Sequence, residues 1–97
     1  ITNLPQGCCV EVPCLVDGTG VHPCHVGDLP PQCAALDRDN INVQELAVEA
    51  ALTGNRKAVR RALAVDPLTS SLLRPREIRL LAAEMLEAEK EWLPHFQ

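Results

Sequence analysis

The chain has 97 residues, enough for one domain with one modest hydrophobic core. Hydrophobic residues make up 46% of it and charged residues 23%, as in an ordinary globular protein. The formal net charge of -4 and the presence of only two aromatic residues, Trp92 and Phe96, disfavour nucleic-acid binding, which uses a positive surface and stacking rings. No apolar run reaches the ~18–20 residues of a membrane span, so we expect neither nucleic acid nor membrane as a partner.

The beginning of the chain indicates a piece of a longer protein. It opens on Ile1 rather than on methionine, and a strand-like pattern follows abruptly. The N-terminal stretch lacks the basic and apolar blocks of a signal peptide. We therefore expect the five cysteines to be reduced thiols in the cytoplasm.

Residues 8–16 alternate between two faces and predict a β-strand. One face carries small or β-branched side chains, which indicates burial of that face: Cys8, Val10, Val12, Cys14 and Val16. Pro13 lacks an N–H group, so the strand lies at a sheet edge or ends there. Residues 17–20 have turn chemistry, and residues 21–26 return as a second short strand. The pattern predicts a β-hairpin.

A long helix is predicted over residues 31–53, after a strand-to-helix junction at residues 27–31. Asp28 is the expected N-cap and Gly54 the stop signal. The polar residues 37–40 suggest a bend in the helix. Two apolar stripes predict two packing partners, one stripe formed by Leu36, Val43, Ala47 and Ala50 and the other by Ala34, Ile41, Val48 and Leu52.

Two further helices are predicted, separated by a short turn or single helical turn over residues 68–73. The first spans residues 56–65, with Asn55 as its cap, Asp66-Pro67 as its end, and Val59, Ala62 and Leu63 facing inward. The second runs from Pro75 to about Trp92, and its predicted buried stripe is Ile78, Leu81, Met85, Ala88 and Trp92. The fold class is α+β, a hairpin followed by three main helices.

The cysteines and histidines do not have the spacing of a metal site. Zinc ligands usually come in pairs such as C-x2-C, whereas adjacent Cys8 and Cys9 point to opposite faces of a strand. His22 and His25, three apart, have the same difficulty. We expect Cys8 and Cys14 to behave as small core hydrophobes, and the odd cysteine count disfavours a full set of disulfides.

Three other features of the sequence are candidate sites. Cys24 beside His25 is the one local candidate for an activated thiol, but adjacency in sequence is not geometry. Glu11 is expected to face solvent, and Gly18-x-Gly20 fits a hairpin turn better than a dinucleotide fingerprint. The second helix carries a basic cluster of Arg56, Lys57, Arg60 and Arg61. The cluster has three interpretations: contact with an anionic surface, a solvated helix face, or pairing with the acidic last helix.

Several motifs resemble the C-terminal region of glycoside hydrolase family four. They are Asn3-Leu4-Pro5, Gly7-Cys8-Cys9-Val10-Glu11-Val12-Pro13-Cys14, Gly27-Asp28-Leu29-Pro30, Asn42-Val43-Gln44-Glu45-Leu46, Glu49-Ala50, Asp66-Pro67-Leu68-Thr69 and Trp92-Leu93-Pro94. The resemblance runs across essentially the whole chain. The Cys-Cys pair before Val-Glu-Val-Pro most resembles the α-galactosidase (melibiase) branch, with the α-glucosidase and α-galacturonidase branches as close alternatives.

The resemblance implies an enzyme that uses NAD and a divalent metal, typically manganese, to cleave α-glycosides. Oxidation at C3 of the sugar acidifies the C2 proton, a base removes it, and the aglycone leaves by elimination. The family's Rossmann glycine motif, its metal-binding Cys-Asn-Pro and Gly-Leu-Asn-His motifs and its catalytic tyrosine do not occur in this chain. None of these roles is therefore transferred to Cys8, Cys9, Cys14, Cys24, His22, His25 or His95.

Residues 1–97 are thus expected to be the C-terminal segment of the substrate-side domain of a larger, lactate-dehydrogenase-like protein. We expect no catalytic, cofactor-binding or metal-binding residue within it, and neither NAD nor manganese bound to it alone. Its expected partners are the remainder of the parent chain, which takes the α-glycoside substrate, and further copies in a homo-oligomer. The alternative is a stand-alone helical interaction module, because the long helix has two apolar stripes.

Overall fold

The computed structural model describes residues 1–96 and confirms the α+β fold class. Its contacts divide the chain into one unit over Ile1–Arg38 and another that begins at Asp39. The elements, in chain order, are β1 (Cys14–Asp17), β2 (Gly20–Pro23), α1 (Pro31–Thr53), α2 (Arg56–Val65), α3 (Pro67–Leu72), α4 (Pro75–Ala88) and a 3-10 turn (Pro94–Phe96).

The predicted hairpin is present but shorter than expected. β1 and β2 pair antiparallel, with Cys14 opposite Pro23 and Asp17 opposite Gly20. The expectation of a strand from residue 8 is wrong, because regular pairing starts only at Cys14. All eight strand residues are solvent-exposed, so the predicted buried strand face is absent as well. A two-stranded ribbon has no second layer of its own to cover either face.

Helix α1 has the predicted bounds. Gly54 ends it in the left-handed conformation at φ +67°, and its N–H donates to the Ala50 carbonyl at 2.9 Å. The helix continues without interruption through residues 37–40. Asp28 lies ahead of the helix, where its carboxylate accepts a hydrogen bond from the Thr2 hydroxyl, so its assignment as N-cap is wrong. Of the two predicted stripes only Ile41 and Ala50 are buried.

Helix α2 is bounded by the residues that were predicted to cap it and to end it, and α3 follows it directly. The Asn55 side chain caps α2 by accepting from the Lys57 N–H at 3.0 Å. Asp66 ends α2 and caps α3, where its carboxylate accepts from the Thr69 N–H at 2.7 Å. Of the two alternatives predicted for residues 68–73, a short turn or a single helical turn, the helical one is confirmed, and α3 spans Pro67–Leu72.

The core of the second unit is built around small side chains. Ala50, Ala58 and Phe96 form a buried cluster, with Val59, Leu86 and Leu93 packed against it. Ala58 is fully buried, although the predicted inward set for α2 was Val59, Ala62 and Leu63.

Helix α4 ends at Ala88 rather than at Trp92, and its buried face differs from the predicted stripe. Ile78 and Ala82 are buried, whereas Met85 and Trp92 are 51% and 79% exposed. Ile78 belongs to the predicted stripe, whereas Ala82 does not. The helix instead turns the Ile78–Ala82 row inward, and α4 packs against α2.

Candidate functional site

The cysteines and histidines are dispersed. All five cysteines are free, and only Cys8 is even half-buried. Cys14 is exposed, and its thiol donates to the Val12 carbonyl at 3.4 Å, so its expected role as a core hydrophobe is wrong. Within residues 1–96 no three His, Cys, Asp or Glu side chains are grouped so as to hold a metal ion. The donor set of this segment therefore does not fit the manganese that the resemblance implies.

The hairpin turn brings the polar side chains of Asp17, Thr19 and His22 together. The Asp17 carboxylate accepts hydrogen bonds from the Thr19 N–H at 2.7 Å and from the Thr19 hydroxyl at 2.6 Å. These bonds, and to a smaller extent one with His22, lower the pKa of Asp17. His22 Nε2 lies 3.2 Å from Asp17 and 2.9 Å from the Thr19 hydroxyl. A catalytic relay needs both imidazole nitrogens, and here one nitrogen makes both contacts, so the group stabilises a turn.

Two of the resemblance motifs meet in the first unit, although 26 residues separate them. The Asn3 side chain donates to the Leu29 carbonyl at 2.8 Å and accepts from the Leu29 N–H at 2.9 Å. The Thr2 N–H donates to the Gly27 carbonyl at 3.0 Å. Leu4, beside this contact, is the one buried side chain of residues 1–38. We call this contact between residues 2–4 and 27–29 the N-terminal clasp.

The clasp was missed by sequence reasoning. Asn3 is exposed, and its partner is a backbone segment rather than a side chain of complementary type. Both halves of the clasp contain residues of the family motifs named above. A motif, however, does not state which other segment of the chain it contacts. The clasp ties the start of the chain to the segment that directly precedes α1.

The predicted basic cluster lies on an open cleft of about 490 Å³ between α2 and α4. Arg56, Lys57 and Arg60 line it from α2, and Arg79 lines it from α4. Its other lining residues are Gly54, Asn55, Ala82, Ala83 and Leu86. Arg61 belongs to the predicted cluster but does not line the cleft. Arg79 was missed because it comes from another helix, and we call this feature the basic cleft.

The remaining candidates have ordinary positions. Glu11 is exposed, as expected for a solvent-facing residue. Gly18 lies in the hairpin turn and Gly20 pairs with Asp17, which agrees with the turn interpretation of the two glycines. Cys24 is exposed, and its N–H donates to the Pro13 carbonyl at 2.9 Å, extending the hairpin ladder. No helix in residues 1–96 combines the length and the apolar character needed to traverse a bilayer.

Comparison with known proteins identifies the family. The C-terminal domain of the family 4 glycosyl hydrolases matches residues 1–69. The chain belongs to this family. It is 42% identical over 97 residues to an alpha-galactosidase of Bacillus subtilis (strain 168) and 36% identical over 96 residues to an alpha-galactosidase of Rhizobium meliloti (strain 1021). It is also 36% identical over 96 residues to a probable 6-phospho-beta-glucosidase of Bacillus subtilis (strain 168).

These relatives are much longer than the chain. The matches cover 99–100% of the chain, but only 22%, 20% and 21% of the three relatives in that order. The chain therefore spans about a fifth of the length of the family members that it matches. The match to the C-terminal domain confirms the resemblance drawn from the motifs, and it includes both halves of the N-terminal clasp.

Proposed function

We propose that the chain is the C-terminal segment of an α-glycosidase that acts on α-galactosides and depends on NAD and a divalent metal. The observation that carries this proposal is the family match over residues 1–69 together with 42% identity to an alpha-galactosidase along the whole chain. Two of the three relatives described above are named alpha-galactosidases, which favours an α-galactoside over other glycosides. We propose a cytoplasmic location, where the five cysteines would be kept as reduced thiols.

The role proposed for this segment is structural. The part of the segment that the structure describes, residues 1–96, groups no three His, Cys, Asp or Glu side chains for a metal, and we assign the metal ligands, the NAD site and the proton-abstracting base to the rest of the parent protein. The segment would shape a wall of the substrate-side domain and take part in packing between subunits. NAD would supply the reversible oxidation of the sugar, and no step of that chemistry is assigned to residues 1–97.

Exposed apolar side chains support the proposal of covering partners. On the hairpin Leu15, Val16 and Val21 are each at least 64% exposed, and on α1 Leu52 is 81% exposed. Apolar residues clustered on a surface commonly mark an interface. We propose that the remainder of the parent chain covers these residues, with a second subunit as a further partner.

The test is an activity comparison between this chain and the longer protein that contains it. The longer protein should hydrolyse p-nitrophenyl α-galactoside only with NAD and manganese present, and this chain alone should give no turnover. Elimination removes the C2 proton, so product formed in D2O should carry deuterium at C2. An ordinary two-carboxylate glycosidase leaves that proton in place.

Three results would contradict the proposal. Turnover by this chain alone would refute the structural role. Full activity of the longer protein after removal of NAD and manganese would refute the cofactor assignment. Absence of any glycosidase activity in the longer protein would favour the helical interaction module.

A further inference from the structure

The basic cleft is an unusual concentration of positive charge in this chain. The chain carries a net charge of -4, yet among residues 1–96 the cleft is lined by four cations and by no carboxylate side chain. The cations come from two helices that pack against each other, so they surround a concavity rather than a flat helix face. A pocket of this size lies within the range of small-molecule sites, roughly 300–1,000 Å³.

The cations of the cleft are available for a ligand. Within residues 1–96 the side chains of Lys57, Arg60 and Arg79 make no hydrogen bond or ion pair. Arg56 donates from Nη1 to the Phe96 carbonyl at 3.2 Å, which engages one of its five N–H groups. Glu87, the acidic residue whose charge Arg56 senses, is bound by Lys90 at 2.6 Å.

The arrangement on α2 opposes the stability of the helix itself. Arg56 and Lys57 occupy its first turn, which contains no acidic residue, and cations there oppose the helix dipole. Arg56 and Arg60 are four residues apart, and like charges at that spacing destabilise a helix. An anion bound in the cleft would relieve both penalties.

We propose that the basic cleft binds a small organic phosphate. Guanidinium groups match the geometry of phosphate oxygens, and the cleft presents three of them beside one ammonium group. Its volume exceeds that of a bare phosphate ion, and Ala82, Ala83 and Leu86 provide an apolar surface for the carbon skeleton. This site is separate from the catalytic chemistry proposed above and does not depend on it.

The experiment measures binding of sn-glycerol 3-phosphate to this chain by calorimetry and by NMR shift changes. Inorganic phosphate and glycerol, tested separately, report the contributions of the charge and of the carbon skeleton. Arg60→Gln and Arg79→Gln should each weaken binding of the ester about tenfold, because each removes charge-assisted hydrogen bonds. Arg61→Gln on α2 and Arg76→Gln on α4 are matched controls, since neither residue lines the cleft. Circular dichroism verifies that the exposed substitutions leave the fold intact.

The proposal is supported if the ester binds more tightly than inorganic phosphate, if glycerol does not bind, and if only the cleft variants lose affinity. Equal losses in the Arg61 and Arg76 variants would indicate diffuse attraction to positive charge and would overturn it. Binding that is unchanged in the Arg60 and Arg79 variants would overturn it as well. Loss of the site in the longer protein, with retention in this chain, would show that a protein segment fills the cleft and would also overturn it.

Discussion

Substitution of Gly54 by alanine is expected to be among the most damaging changes in the second unit. Gly54 ends α1 with φ +67°, a backbone conformation that costs an L-residue roughly 1–2 kcal/mol. A Cβ atom at this position would also collide with the His95 carbonyl oxygen, and its next neighbour is the His95 carbonyl carbon at 3.1 Å. Both obstacles are backbone atoms, which cannot move without moving the C-terminal turn.

The size of the destabilisation depends on the contacts that the C-terminal turn makes. The His95 ring bonds the Ala51 carbonyl at 3.0 Å, and the adjacent Phe96 closes the core against Ala50 and Ala58. Complete loss of a buried phenylalanine costs about 3–5 kcal/mol, which sets an upper limit on the free-energy cost of displacing Phe96. Adding the backbone strain at Gly54 to a partial loss of the Phe96 packing gives an expected destabilisation of about 2–4 kcal/mol. For a domain of this size that lowers the melting temperature by roughly 10 °C or more.

Urea and thermal unfolding, followed by far-UV circular dichroism, give the measurement. Gly18→Ala is the matched control, because Gly18 has no positive φ and nothing lies within 4 Å of its added Cβ. Gly54→Asn separates the two causes, since asparagine tolerates the left-handed conformation but has the same Cβ. Recovery of stability in that variant would assign the loss to strain alone. A Gly54→Ala protein within about 0.5 kcal/mol of the parent would refute the reasoning, because it would match an ordinary surface substitution.

Three further predictions concern the clasp, an acid-sensitive cap and association. Asn3→Leu removes both side-chain bonds to Leu29 and should speed amide exchange at Leu29 about fivefold, from roughly 1 kcal/mol of lost bonding; unchanged exchange would contradict it. Hydrogen bonds from Thr69 lower the pKa of Asp66 in the folded protein. The ionised carboxylate therefore stabilises the fold at pH values above its unfolded-state pKa, and this stabilisation is lost as the pH falls through its folded-state pKa. Thermal unfolding of Asp66→Ala should therefore show a shallower acid decline, and a parallel decline would contradict it. The chain should self-associate in sedimentation experiments, Leu52→Glu should reduce this, and a monodisperse monomer at high concentration would contradict it.

The helices were predictable because local chemistry determines where they begin and end. Gly54 supplies the left-handed stop of α1, Asn55 caps α2, and Asp66-Pro67 both ends α2 and starts α3. Each signal acts within a few residues and needs no information about the rest of the molecule. Asp28 misled for the same reason, because its local sequence suits a cap while a distant residue, Thr2, engages its carboxylate.

Burial was less predictable because it depends on what a face packs against. Met85 on α4 and Trp92 beyond its end continue the helical spacing of the sequence, yet the buried row of α4 passes through the small residue Ala82. The basic cluster on α2 was predicted, but the cleft that it lines and the contribution of Arg79 were not, since a sequence does not state which row of one helix faces another. The clasp at Asn3 was missed because its partner is backbone.

The wrong burial prediction on the hairpin is itself evidence about context. An alternating pattern of Cys and Val is typical of a strand with one covered face, and in this chain that face is open. The same is true of α1, where exposed Leu52 belongs to a stripe with helical spacing. Side chains selected for an interior but left in water are expected where the covering layer belongs to another part of the protein. The chain spans about a fifth of the length of its relatives, and these open faces are the structural support for the proposal that a longer parent chain supplies the covering layer.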